Sequence, residues 1–134
     1  MATYPSVLQT VIDTTDARAA AEFYRQLLGY VYRTGHETPD PAGDDWLVVH
    51  DAGGRHRLAF QQVDQLTPST WPDGAVPQQL HLDMTVPSVE ELLIQHDRVL
   101  ALGGRMIFDR FEDPEEPLRV YGDLDGHPFC IFVG

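Results

Sequence analysis

A histidine placed on an apolar strand is the first residue here whose type and setting could do chemistry. In Leu80-His81-Leu82-Asp83-Met84-Thr85-Val86 the alternation has period 2. Leucine, methionine and valine therefore share one face, and His81, Asp83 and Thr85 share the other. A histidine so placed can hold a ligand oxygen, act as a general base, or serve as a hydrogen-bonded structural residue. Cys130 is the lone cysteine. It reads as a small core residue ahead of a nucleophile. His127 does not activate it, because an odd separation along one strand puts the two on opposite faces. One cysteine also excludes an internal disulfide and a multi-cysteine zinc site.

Other chemistries find no support. Asp123-Leu124-Asp125-Gly126 begins like a calcium loop, but Gly134 stands where the closing glutamate is needed. A hairpin turn is the better reading. No phosphate-cradling P-loop or dinucleotide fingerprint is present. Gly53-Gly54 and Gly103-Gly104 read as a turn and a helix stop, and Arg55, His56 and Arg57 as hairpin surface. The net charge is −12, from 21 Asp plus Glu against nine basic residues, all of them Arg. This excess argues against nucleic acid, whose backbone is bound by neutralising cations. It leaves room for a cationic small molecule. The absence of Lys and Asn reads as codon bias. No stretch reads as a signal peptide or approaches the roughly 20 apolar residues of a membrane span. The expected setting is cytoplasmic, with no membrane partner.

The 134 residues suffice for one domain with a core of its own. Within it the chain repeats. Val7–Ile12 reads as a strand, Thr15 and Asp16 as helix-capping residues, and Ala17–Leu28 as a helix stopped by Gly29. Three strands follow, Tyr30–Thr34, Trp46–His50 and Arg57–Val63, with a Pro, Asp and Gly loop over Thr38–Asp45. The second half has the strand Leu80–Val86, a capping box Ser88 to Glu91, and a helix Val89–Leu102. Its strands are Arg105–Phe108, Leu118–Tyr121 and Pro128–Val133. Leu28 and Leu102 lie 74 residues apart, Gln9 and His81 72 apart, and Ala59 and Cys130 71 apart. This near-constant offset predicts a duplicated module: one over about 5–64, a linker over about 65–77, and a second over about 78–134.

Asp16, Phe23-Tyr24 and Leu27-Leu28-Gly29, with His81-Leu82-Asp83 and Asp123 to Phe129, resemble the signatures of the vicinal oxygen chelate superfamily. The match is to its glyoxalase-like, bleomycin-resistance-type branch. The resemblance implies an α+β fold of two βαβββ modules. Their mixed sheets curl as an open barrel around a cleft, with helices outside. In metal-using members four cleft residues hold a divalent ion. Mapped by motif, these places are Gln9, Ala59, His81 and Cys130. Ala59 cannot coordinate, and Cys130 replaces a carboxylate that a hard dication needs. The expectation is therefore no cofactor, the alternative being a divalent metal ion held through His81 and Gln9. Asp83 shares the inward face with His81. Trp46, Phe60, Phe108, Phe111 and Tyr121 are expected to wall a pocket around Gln9 and His81, with Ala59 and Cys130 on its floor. His81 is the candidate catalytic residue. The function so implied is binding of a small organic ligand, cationic or aromatic, such as a drug or natural product, by a homodimer. A metal-dependent lyase, isomerase or dioxygenase, or a metal-free enzyme with His81 as base, are the alternatives.

Overall fold

The computed structural model describes residues 4–134. The chain forms two compact units, the first ending at Asp64 and the second running Gln65–Gly134. The first contains β1 (Thr10–Thr14), α1 (Ala17–Leu28), β2 (Val31–Tyr32), β3 (Trp46–His50) and β4 (Arg57–Gln62). Its sheet has the order β1-β4-β3-β2, with β1 parallel to β4 and the other pairs antiparallel. The second repeats this with β5 (Leu82–Val86), α2 (Val89–Ala101), β6 (Arg105–Arg110), β7 (Leu118–Gly122) and β8 (Pro128–Val133). Its order is β5-β8-β7-β6, with β5 parallel to β8. Each unit is a βαβββ module, a helix on one face of an open four-stranded mixed sheet.

Local chemistry sets both helices. Asp16 caps α1 by accepting from the Ala19 N–H at 3.1 Å, and Gly29 ends it with φ 68°. Ser88 caps α2 by accepting from the Glu91 N–H at 3.2 Å. Ala20, Ala21, Phe23, Tyr24 and Leu27 of α1 are buried. Tyr24 stacks on Phe60 of β4 at 5.6 Å, which marks the covered face of the first sheet. In the second unit Tyr121 stacks on Phe129 at 5.6 Å. The Tyr121 hydroxyl shares a 2.9 Å hydrogen bond with His96 Nδ1 of α2. No helix among the described residues is long and apolar enough to cross a membrane.

Strand ends differ from the sequence expectation for reasons of pairing. β1 begins at Thr10, opposite Leu58 near the start of β4, which a turn precedes, so Val7 and Leu8 stay exposed. β5 begins at Leu82, opposite Phe129. The preceding residue on β8 is Pro128, which has no N–H to extend the ladder. His81 therefore sits just outside the strand. β6 runs on to Arg110, with a bulge between Met106 and Phe108.

Candidate functional site

The open face of the second sheet carries the chemistry. Asp83 pairs with Cys130, Cys130 with Val120, and Val120 with Phe108, so these four form one row across all four strands. The bulge makes this possible. Met106 is opposite Tyr121, which lies on the helix-covered face, and a regular strand would put Phe108 there too. The extra residue, Ile107, shifts the register by one and turns Phe108 and Arg110 to the open face. The corresponding row of the first sheet is Val11, Ala59 and Val48, which offers no hydrogen-bonding side chain.

A cavity of about 250 Å³ lies over this row. His81, Asp83, Cys130 and Phe108 line it, as do Trp71 and Val120. Leu118, Gln78 and Arg110 complete the wall. Trp71 and Phe108 meet edge to face, with ring centroids 6.0 Å apart and planes at 78°. Trp71 comes from the stretch expected to be a linker. That stretch is internally tied. Thr70 N–H donates to the Val76 carbonyl at 2.8 Å, Val76 N–H to Thr70 Oγ1 at 2.8 Å, and Trp71 N–H to Ser69 Oγ at 3.1 Å.

Asp83 is the hub of the polar groups. Its Oδ1 lies 3.2 Å from His81 Nε2 and accepts from the Cys130 thiol at 2.7 Å. Burial, and then the carboxylate beside it, push the Cys130 thiol up from 9.0 to about 12. The thiol is thus a neutral donor, neither a nucleophile nor a thiolate ligand. Arg110 reaches the wall with its guanidinium already paired to Asp113 at 2.6 Å.

The predicted residues divide clearly. His81, Asp83, Phe108 and Cys130 come together. Phe60 and Tyr121 are not among the residues lining this cavity, and both are fully buried against helix-side partners. Phe111 stands outside the cavity wall and carries the Arg119 guanidinium 4.6 Å above its ring. Gln9, Trp46 and Ala59 belong to the first unit. Gln9 precedes β1, Trp46 starts β3 and Ala59 is buried in the middle of β4. Trp71, Gln78, Arg110, Leu118 and Val120 were missed. For Trp71 a signal existed, a large aromatic in an otherwise polar connecting segment.

A resident hard divalent ion does not suit these donors. Among the described residues no group of three or more His, Cys, Asp or Glu side chains is placed to hold a metal. Of the four motif-mapped places, Ala59 has no ligating atom in its side chain, and the Cys130 thiol stays protonated and donates to Asp83. A wider groove of about 620 Å³ lies beside the N-terminus of α1. Arg18 in its wall is held by Asp44 through two 2.9 Å contacts and by the His36 carbonyl, so that residue ties down a loop.

The glyoxalase-like domain model matches residues 9–132. The chain belongs to the glyoxalase-like domain family. Similar solved structures include a hypothetical protein from S. aureus, with 16% identity, a TM-score of 0.70, and coverage of 99% of this chain and 100% of that one. A glyoxalase/bleomycin resistance protein/dioxygenase family enzyme from Burkholderia phytofirmans has 15% identity and a TM-score of 0.68, covering 94% and 96%. A third is a mutant of the fosfomycin resistance protein FosX from Listeria monocytogenes, complexed with Mn(II) and 1S,2S-dihydroxypropylphosphonic acid. It has 19% identity and a TM-score of 0.69, covering 100% and 94%. These solved structures share the fold of the chain. No curated protein sequence matches it significantly.

Proposed function

We propose that this glyoxalase-like chain is a small-molecule-binding protein that sequesters an aromatic drug or natural product without a resident metal. The observation that carries this is the aromatic corner of Trp71 and Phe108 above the row from Asp83 to Phe108. An apolar enclosure with a few convergent polar groups is the ordinary make-up of an organic-ligand site. Ring stacking would supply the affinity, while His81 and Asp83 would fix orientation. FosX is a relative complexed with Mn(II). The donors here favour burial over metal chelation. The reading includes one glyoxalase-like domain built of two modules, acting as a cytoplasmic homodimer; a monomer mass in sedimentation equilibrium would refute the dimer.

Calorimetric titration against a panel of planar antibiotics and aromatic amines tests the proposal. Binding is expected, and Trp71→Ala should abolish it. Stoichiometric Mn, Fe, Ni or Zn in the purified protein, lost on His81→Ala, would overturn it in favour of a metal-dependent lyase, isomerase or dioxygenase. One observation favours a second reading. The contact of His81 Nε2 with Asp83 leaves Nδ1 free to act as a general base in a metal-free enzyme. Turnover that survives chelators and disappears in His81→Ala would establish that reading.

A further inference from the structure

We propose that the pocket of the second module selects small single-ring organic cations, primary or secondary ammonium compounds, with Asp83 as their counter-ion. This rests on the small-molecule reading above and adds the charge and size of the ligand.

The charges around the cavity point one way. Two charged side chains line it, Asp83 and Arg110. Arg110 is neutralised by Asp113 at 2.6 Å. Among the described residues Asp83 meets a neutral thiol and the imidazole, and both contacts use Oδ1. Oδ2 remains as an acceptor for a ligand N–H. Glu116 adds a further negative charge close enough to act on both Arg110 and Cys130. An anion entering here would meet Asp83 and Glu116, with its one guanidinium partner already engaged. A cation meets a carboxylate and two aromatic rings at right angles, which offer a face to a positive charge. The net charge of −12 favours its approach from a distance. Size sets the other limit. At about 250 Å³ the cavity lies at the small end of organic-ligand sites, so a drug or natural product of one ring with a short ammonium arm fits its scale.

The test uses three isosteric probes, benzylamine, benzyl alcohol and benzoate, titrated by NMR into the full chain at mildly alkaline pH. Benzylammonium is expected to bind about tenfold more tightly than benzyl alcohol, the order of a charge-assisted hydrogen bond with a cation–π contact. Benzoate should bind more weakly than either. Asp83→Asn should cancel the preference for the amine. If that variant fails to fold, added salt decides with the native chain, and it should weaken the amine and spare the alcohol. Equal binding of amine and alcohol, tighter binding of benzoate, or a preference that survives Asp83→Asn would overturn the charge inference and leave the small-molecule reading standing. Failure of all three probes to bind would overturn the charge and size inference, and the calorimetric panel would then decide the small-molecule reading separately.

Discussion

Cys130 should resist alkylation to a degree that its surroundings define. The residue is 7% exposed, and its thiol donates to Asp83 at 2.7 Å. Burial, the larger cause, and the adjacent carboxylate raise it from 9.0 to about 12. At pH 8 about a tenth of an ordinary thiol is thiolate, against about one part in 10,000 of this one. Since the thiolate is the reactive form, native protein should react with iodoacetamide about 1,000-fold more slowly than denatured protein. Global unfolding does not mask the effect. A domain stable by about 5 kcal/mol is open in roughly one molecule in several thousand. Mass spectrometry of timed samples, with and without denaturant, measures the ratio. In Asp83→Asn the rate should rise but stay below that of denatured protein, because burial remains. Native reactivity within tenfold of the denatured rate would refute the reasoning, and with it the view of Cys130 as a neutral donor. The same shift gives a pH trend. The native state holds its proton where the unfolded chain loses it, so stability should fall as pH rises from 9 towards 12.

Three further outcomes follow from the packing. Hydrogen bonds from Arg25, Tyr32 and Gln26 draw Glu22 down from 4.5 to about 2, the Arg25 contact being the largest cause. Its contribution is present above pH 4.5 and lost as pH falls towards 2, so urea melts of Glu22→Gln should show a shallower acid decline than native protein. Phe60→Ala should cost about 3–5 kcal/mol in chemical denaturation through loss of its stack with Tyr24, and Tyr121→Phe about 1 kcal/mol through loss of the His96 hydrogen bond. Deleting Ile107 takes out the extra residue of the bulge, so Phe108 follows Met106 directly and keeps its place opposite Val120 on the open face. Ligand binding should persist with native-like circular dichroism, and lost affinity in the folded variant would show that the bulge does more for the site than place Phe108.

Helices and modules were readable because their signals are local. Asp16, Gly29 and Ser88 define ends within a few residues of chain, and the observed α1 matches its predicted span. The row through Asp83 and Cys130 was partly readable, since period 2 alone puts Asp83 with His81. Which face a strand residue takes is otherwise decided by distant partners. Phe60 and Tyr121 face the helices, and nothing near them in sequence reveals that Tyr24 and His96 cover their side of each sheet. Phe108 reached the pocket through a bulge, and a single inserted residue leaves no mark in a pattern of hydrophobicity. Trp71 was hidden by its setting among Pro, Ser, Thr and Asp, residues that read as connection and here bond to one another.

That tied segment, Ser69–Val76, has a consequence for how such a protein diversifies. It lies outside both helices and all eight strands of the described residues, yet its Trp71 presents one wall of the cavity. Replacements at Trp71 and its neighbours can alter what is bound while both cores stay intact, so ligand preference is free to drift separately from foldability. A library confined to this stretch is therefore a direct route to new specificities on the same scaffold.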